Sequence, residues 1–469
     1  MSFLHIVSFS IFQKPSLKVL PPSGALRSFK KYGFWMLPPI LLLVSILFDG
    51  SYREGAIAWA GESILQKTDI PVLTIDQAVS QALQKNPALA KDRARMNREK
   101  TLSIQAGELP DPKLVLGEQY FPISFNMGQS LLAMTTVGLR QSFSPLGKRD
   151  LLRKGFIREE SASRWNLEER KLRLVRDVRL TWLDLYRNTR TELLLRSIGL
   201  LWQEAFESAL ARYRQGTGSE SDLLLAQFQK DNLKDKEEAL EIQTEESLHL
   251  LMRLMHRSEP FRVSDEEPKF PVPLSESLML TQINLHPALK SSAEQNAAQA
   301  LRVQAAKKDK IPAFSVEGDY SYFMGPSLIT STPNLFSVVL TMNLPVRPGE
   351  RQDQKVREEE ADLESFEAQR EELRQNLAQE IRDDESGYRH LSHRARFLDL
   401  RLLPEAHRNA EAALNDYSTG TVHMGRVLES MKKVEDIELQ ALEIRVEKFK
   451  EMAKLDYLNG RLQGGAHEK

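Results

Sequence analysis

One unbroken helical pattern constrains the fold of this chain more than any other feature, and it runs from Lys148 to about Arg214. The run contains no proline, and apolar residues such as Leu167, Leu174 and Val178 recur in it at helical spacing. This period predicts an amphipathic helix, because such residues share one helix face. A helix of roughly 65 residues is on the order of 100 Å long, which exceeds the needs of a compact domain and favours a coiled coil, a helical array or a tube.

The composition excludes several classes of protein. Charged residues make up 28% and hydrophobic residues 41% of the chain, which does not fit a membrane protein built from many apolar helices. The net charge of -1 lacks the basic excess that binding to nucleic acid requires, so we expect no nucleic-acid partner. Because the chain has no cysteine, it has no disulfides, no thiol chemistry and no thiolate metal site.

Residues 1–60 are predicted to be an N-terminal signal segment. Lys30 and Lys31 precede an apolar run over 33–48, and Ala58-Trp59-Ala60 gives the small-x-small pattern of a cleavage site. The apolar run of about 16 residues is shorter than the roughly 20 residues of a membrane-spanning helix. We therefore expect export and cleavage, with an uncleaved anchor as the alternative.

The rest of the chain, 61–469, is predicted to contain two tandem repeats, over about 74–257 and 275–460. A proline-rich stretch separates them at 260–273. The offset between matching residues drifts slowly and in order, as small insertions into a duplication would make it. The collinear matches are Asn86-Pro87-Ala88-Leu89 with His286-Pro287-Ala288-Leu289, Val137-Gly138-Leu139 with Val338-Val339-Leu340, Tyr186-Arg187 with Tyr388-Arg389, and Tyr213-x-x-Gly216-Thr217 with Tyr417-x-x-Gly420-Thr421.

Each half is predicted to hold short helices, two strands, a long helix and a returning helix. In the first half, Thr74-x-x-Gln77 predicts a capping box at the start of a helix. In the second half, Pro404 is expected to kink the long helix. The predicted strands are 113–121, 135–143, 314–322 and 335–344; the second long helix is about 350–417; and the returning helices are about 222–255 and 425–458.

The strands alternate between an apolar and a polar face, which is a period of two. Each strand is long enough to cross a bilayer when tilted, and the charged residues Glu118, Arg140, Glu317 and Asp319 are expected to face a wet lumen. Because four strands cannot close a barrel, transmembrane strands would require several copies of the chain to share one barrel. A small soluble sheet with its polar face to water is the alternative.

Taken together, these features resemble the TolC-like outer-membrane efflux family. The residues that carry the resemblance are Leu73-Thr74-Ile75-Asp76-Gln77-Ala78, Asn86-Pro87-Ala88-Leu89, Tyr213-x-x-Gly216 and Asp222-Leu223-Leu224-x-Ala226-Gln227, together with the corresponding segments of the second repeat. The resemblance implies a mainly α fold with a small β part. Long helical hairpins would form a trimeric α-barrel, and four strands from each protomer would enter a shared transmembrane β-barrel of twelve strands.

The resemblance also implies a function and partners. Such a protein is not an enzyme and has no cofactor. It is a homotrimer in the outer membrane of a Gram-negative bacterium, in contact with outer-membrane lipid, with a long periplasmic extension. It serves as the exit duct of a tripartite efflux system, with a periplasmic adaptor (a membrane fusion protein) and an inner-membrane pump of the RND type. The alternatives are a type I protein-secretion duct and a periplasmic coiled-coil scaffold or adaptor.

By the same resemblance, the two helical turns are the periplasmic tips that meet the adaptor. The tip residues are Gly216, Thr217, Gly218, Ser219, Gly420, Thr421, Val422 and Gly425. Asp222, Arg426 and Glu429 fall at the periplasmic gate, where Arg426 reverses the acidic charge found in some relatives. We hypothesise that an ion pair between Asp222 and Arg426 of neighbouring helices locks the gate in its closed state. The alternative interpretation is that the tip glycines are ordinary helix caps and that the gate residues are ordinary solvated charges.

The cargo stays open between heavy metals, small organic molecules and secreted protein. Pro110-Asp111-Pro112, residues 134–139 and Pro145-Leu146-Gly147-Lys148-Arg149 are most similar to the heavy-metal branch of the family. The chain itself offers no predicted metal site, because its closely spaced histidines are also explained by packing and by solvated helix faces. A duct does not have to bind what passes through it.

Overall fold

The computed structural model describes residues 71–120, 123–125, 133–323 and 334–460. All of them belong to one unit, Thr68–Lys469. The predicted signal segment, 1–60, lies outside the described residues. In the described ranges, no helix has both the length and the apolar character that crossing a membrane would need.

The first half of the chain follows the predicted order of elements. The long helix begins and ends where the apolar period predicted, at Lys148 and Arg214, and contains 67 residues. The elements are β1 (Val72–Leu73), α1 (Ile75–Lys85), α2 (Pro87–Gly107), β2 (Lys113–Gln119), β3 (Met134–Phe143), α3 (Lys148–Arg214) and α4 (Glu220–Met255).

The same order recurs in the second half, but the long helix is divided and 3₁₀ turns flank α6 at Ile283–Leu285 and Lys308–Lys310. The elements are β4 (Arg262–Val263), α5 (Glu276–Gln282), α6 (Pro287–Lys307), β5 (Phe314–Phe323), β6 (Leu335–Met342), α7 (Gln352–Phe397), α8 (Leu403–Ser418) and α9 (Met424–Leu458). A π-helical turn, Leu398–Leu402, joins α7 to α8 just before Pro404. Proline lacks an N–H and crowds the carbonyl four residues earlier, so the predicted interruption at Pro404 has a clear local cause.

Local side-chain caps fix where the short helices begin. The predicted capping box is present: Thr74 accepts from the Gln77 N–H at 3.3 Å, and the Gln77 side chain accepts from the Thr74 N–H at 3.0 Å. Asn86 caps α2 by accepting from the Ala88 N–H at 2.9 Å, directly before a proline at the first helical position. These caps satisfy N–H groups that a helix start leaves without partners.

The four long strands form one antiparallel sheet in the order β2-β3-β5-β6, so β2 and β6 are its edges. One face carries apolar side chains that are all exposed in the protomer: Leu114, Leu116, Val137, Leu139, Val316, Tyr320, Tyr322, Phe336, Val338 and Leu340. The other face holds the buried polar side chains Thr136, Glu317, Asp319 and Ser321. On this polar face Arg140 pairs with Glu317, and the hydroxyls of Thr136 and Ser321 lie 2.9 Å apart.

One predicted residue lies on the wrong face. Glu118 was expected with the polar set, but it alternates with Leu114 and Leu116 on the apolar face and lies opposite Thr135. The Thr135 hydroxyl donates to Glu118 at 2.9 Å. The prediction was wrong because Glu118 has the same parity as the two leucines, and parity decides the face of a strand residue.

Helix α3 provides the packing surface for both halves. It contacts α2 and α6, and it also contacts α4 and α9. Its fully buried residues Val178, Trp182 and Leu183 join a core that includes Leu251 of α4 and Val446 of α9. This core also holds the two-residue strands β1 and β4, which pair in parallel and which the sequence did not predict. The Trp182 indole N–H donates to the Leu73 carbonyl at 3.1 Å, which ties β1 to α3.

Asn86 and His286 occupy equivalent places in the two halves. The Asn86 amide also donates to the Leu254 carbonyl at 2.8 Å. His286 is only 2% exposed, accepts from the Ala288 N–H at 3.3 Å and meets the Tyr457 ring edge-on. Burial is the main cause that lowers the pKa of His286, since the imidazolium would lose its hydration. The ring is therefore held neutral, and it accepts through its unprotonated nitrogen.

This burial predicts a loss of stability in acid. Because the folded pKa of His286 is depressed, the unfolded chain binds the proton more readily, and stability present above the unfolded pKa of about 6.5 falls as the pH drops. His286→Asn keeps a capping side chain and removes the titratable ring, so it should reduce that loss at pH 5. Thermal unfolding at pH 5 and pH 8 measures the difference.

The matched control is Asn86→His, which places the same titratable group in the first half. Because position 86 is only half-buried, this histidine should add less pH dependence than His286 does. Equal pH dependence of the wild type and His286→Asn would contradict the role given to His286.

Candidate functional site

The first predicted tip is the turn between α3 and α4. Gly216 takes a positive φ of 73°, the left-handed conformation that ends many helices and favours glycine. The N–H groups of Thr217 and Gly218 both donate to the Arg212 carbonyl at 3.0 Å, and the Thr217 hydroxyl donates to the same oxygen at 3.2 Å. The last turn of α3 is thereby closed by the predicted tip residues themselves.

Gly218 and Ser219 complete this turn in different ways. A Cβ on Gly218 would lie 2.9 Å from the Arg212 Cβ, so the chain passes too close to α3 for any side chain. Ser219 caps α4, because its hydroxyl accepts from the Asp222 N–H at 3.1 Å. The first tip is therefore a tight and fully hydrogen-bonded turn.

The second predicted tip, between α8 and α9, repeats this geometry. Gly420 has a φ of 79°, and the Thr421 N–H and hydroxyl donate to the Asp416 carbonyl at 2.9 and 2.7 Å. Val422 is half-buried and packs on the apolar cluster below the turn, whereas Gly425 lies in the first turn of α9 with open space around it. In both turns, a threonine closes back onto the carbonyl five residues before it.

The two turns are neighbours in the protomer. The Arg212 guanidinium lies 4.5 Å from the centre of the Tyr417 ring, which connects the end of α3 to the end of α8. Below them an apolar cluster joins α3, α4 and α9 through Trp202, Leu233 and Val427. The structure thus brings the two predicted tips together at one end of the helices.

The predicted gate residues Asp222 and Arg426 lie in the first turns of the returning helices, and Glu429 lies one turn further along α9. Arg426 pairs with Glu429 of its own helix at 3.2 Å, and Glu429 also pairs with Lys433 at 2.7 Å. The hydrogen bond from Lys433 is the largest cause that lowers the pKa of the Glu429 carboxyl. In the described protomer Arg426 has its ion pair with Glu429 and not with Asp222, so the predicted Asp222–Arg426 pair that would lock the closed state stays a prediction.

A buried carboxylate near the tips was not predicted. Glu435 of α9 is 3% exposed and accepts from the Trp202 indole N–H of α3 at 3.3 Å. It also pairs with Lys432 of its own helix at 3.1 Å and with Lys236 of α4. Here "the Glu435 junction" means these four residues, which connect α3 and α4 to α9. A carboxylate on an apolar helix face was the available sequence signal.

In the described residues, no group of three or more His, Asp or Glu side chains is placed to hold a metal ion. The arrangement offers instead two rigid turns, a charged rim and an ionic junction between helices. These are features that position surfaces and resist helix separation. They do not provide a nucleophile with its base or a coordination sphere.

The turn geometry predicts different tolerances for its glycines. Gly216→Ala should destabilise the turn by about 1 kcal/mol, because its φ is positive. Gly425→Ala is the matched control: it adds the same methyl group in open space within a helix, where alanine is the better helix former, so it should be neutral or slightly stabilising. Hydrogen exchange of the amides at 216–222 measures the opening of this turn. Equal exchange rates in both variants would contradict the argument.

No family model matches the chain, and no curated protein matches it significantly. Solved structures do match. The outer-membrane channel OprN shares 16% identity with a TM-score of 0.71, covering 82% of this chain and 89% of OprN. CusC, described as forming a transmembrane channel, shares 14% with a TM-score of 0.71, covering 87% and 95%. The Campylobacter jejuni outer-membrane channel CmeC shares 15% with a TM-score of 0.69, covering 84% and 87%. This chain therefore has the protomer fold of these outer-membrane channels.

Proposed function

We propose that this chain is the outer-membrane exit duct of a tripartite efflux system and acts as a homotrimer. One observation carries the proposal. In the described residues, the sheet exposes its apolar face, buries polar side chains of its two central strands on the other face and leaves β2 and β6 as unpaired edges, in a fold that matches outer-membrane channels. The similarity to solved channel structures supports this interpretation over the alternative of a small soluble sheet.

The shared barrel follows from the chemistry of the sheet edges. Unpaired N–H and C=O groups on β2 and β6 would each cost several kcal/mol in a lipid interior. Pairing β6 of one copy with β2 of the next removes both edges, and three copies give a closed barrel of twelve strands. The apolar face would then meet lipid, and the Arg140–Glu317 pair would face the lumen.

The helical end supports the proposed partners. In this role the two tips contact a periplasmic adaptor, a membrane fusion protein, which links the duct to an inner-membrane pump of the RND type. Asp222, Arg426 and Glu429 would line the periplasmic gate around the entrance. We retain the division into a signal segment at 1–60 and a duct at 61–469, with two repeats over about 74–257 and 275–460.

For the cargo, we propose heavy-metal ions. The sequence similarity to the heavy-metal branch at 110–112, 134–139 and 145–149 supports this class. The duct needs no resident metal site for this role, because it only conducts what its pump delivers. It therefore catalyses no reaction and carries no cofactor.

The barrel predicts that the two faces of one strand tolerate charge differently. Val338→Lys places an ammonium on the exposed apolar face and should lower the stability of the membrane-inserted protein by about 2 kcal/mol. Ser337→Lys is the matched control on the polar face and should insert normally. The assay measures the yield of particles of three protomers extracted from outer membranes in mild detergent.

Equal yields for the two lysine variants would contradict the proposed orientation of the sheet. A wild-type monomer, or protein found only in the soluble fraction, would contradict the duct itself.

The Glu435 junction predicts a gating phenotype. Glu435→Gln keeps an acceptor for Trp202 but removes the carboxylate that Lys236 and Lys432 share. Lys432 keeps its ion pair with Asp436 at 2.6 Å, whereas Lys236 loses the ion pair that it has in the described residues and lies half-buried near a second ammonium group. We expect α9 to separate more easily from α3 and α4, and single channels in a planar bilayer to stay open longer. Glu443→Gln removes an exposed charge from the same helix and should behave as the wild type. Unchanged open times in Glu435→Gln would exclude a gating role for this junction.

A further inference from the structure

A crevice directly below the sheet remains unexplained by the duct role. It has a volume of about 370 Å³ and lies where β3 passes into α3. Its apolar wall consists of Phe143, Pro145, Leu146 and Phe314, and its polar rim of Arg149, Asp150 and Arg153. Such a two-sided lining suits an amphipathic ligand.

The apolar wall continues the exposed face of the sheet. Phe143 has the same parity as Val137 and Leu139 and is the last residue of β3, and Phe314 is its partner at the start of β5. The two rings stack with centroids 4.9 Å apart. An apolar chain lying along the outer face of the sheet would therefore run into this crevice past Val316, beside the one polar side chain of that stretch of β3, Gln141.

The rim is cationic. Asp150 is held by Arg153 at 3.0 Å and by Lys154 at 2.7 Å, so two cations share one carboxylate. Arg149 forms no ion pair in the described part of the chain, and its one hydrogen bond, to the Gly107 carbonyl, is long at 3.4 Å. The Arg149 and Arg153 guanidiniums can therefore bind an anion beside the apolar wall by donating hydrogen bonds to it.

The second half places a similar pair of features at the corresponding position. Leu146 is 85% exposed and Val346 is 87% exposed, and both follow a proline shortly after a strand ends. Arg149 and Arg347 come soon after them. A largely exposed apolar side chain followed closely by an arginine fits the boundary between lipid tails and headgroups, where the apolar group meets the tails and the guanidinium reaches the headgroups.

We propose that this crevice binds an anionic phospholipid of the periplasmic leaflet. Its phosphate lies against Arg149 and Arg153, and an acyl chain runs along Phe143, Leu146 and Phe314. The inference rests on the proposed function, because it requires the sheet to lie in the outer membrane. It adds a defined lipid site that would fix the depth of the duct in the bilayer.

The test uses the full chain, purified in mild detergent and offered dimyristoyl phosphatidylglycerol or dimyristoyl phosphatidylcholine. Native mass spectrometry counts the lipids retained. The wild type should retain the anionic lipid preferentially, and the double variant Arg149→Gln, Arg153→Gln should lose roughly tenfold in this preference. Arg196→Gln, an exposed arginine nearer the other end of α3, is the control and should bind as the wild type.

A second variant tests the apolar wall. Leu146→Ser should weaken retention of both lipids, because the acyl chain loses a contact while the arginines remain. Equal retention of the two lipids by the wild type, or no effect of the double variant, would overturn the proposal. Conductance of the same preparations in a planar bilayer distinguishes a failure of the lipid site from a failure of the duct function. Normal channels without lipid preference would remove the lipid site alone, whereas absent channels would count against the duct.

Discussion

Burial along α3 is the constraint on which the rest of the structure depends. Helices of the first half and of the second half pack on this one helix, and its central residues Val178, Trp182 and Leu183 are almost completely buried. Helix propensity alone does not hold so long a segment straight, since most helical stability in proteins comes from packing of an apolar face. The same helix begins just after β3 and ends at the first tip. It therefore fixes the distance between sheet and tips at on the order of 100 Å.

The sheet and the helices are built for different surroundings. In the helical part, the cores are apolar and most ion pairs, such as Arg158–Glu294, are partly exposed to water, with the Glu435 junction as a buried exception. In the sheet the order is reversed, with Asp319 buried and Val338 exposed. A contiguous exposed apolar face of this kind marks a surface that another phase or molecule covers. The change of pattern occurs within a few residues of Phe143, where the proposed lipid crevice lies.

The sequence predicted what depends on local periodicity and failed where distant residues meet. It located both ends of α3, the strands and the interruption at Pro404, because helix period, strand alternation and proline chemistry are readable over short windows. It missed the β1–β4 pair, because two-residue strands have no period. It also missed the Glu435 junction, whose partners lie on three helices. Glu118 was predicted on the polar face because of its charge, although its alternation with Leu114 and Leu116 places it on the apolar face. The equivalence of Asn86 and His286 was visible, but the buried environment that keeps the imidazole neutral was not.

The two halves repeat one plan but differ in stiffness. In the first half α3 is continuous, whereas in the second half a π turn and Pro404 remove regular hydrogen bonds between α7 and α8. The contact between α7 and α9 also holds a pair of carboxyls, Asp384 and Glu451. Burial, and then the neighbouring Glu451, raise the pKa of Asp384 to about 7. The buried Oε2 of Glu451 has no hydrogen-bond donor unless Asp384 is protonated, so this contact weakens as the pH rises through that value. If the helical end must open to pass cargo, the second half bends at lower cost, while the first half keeps the sheet and the tips in register.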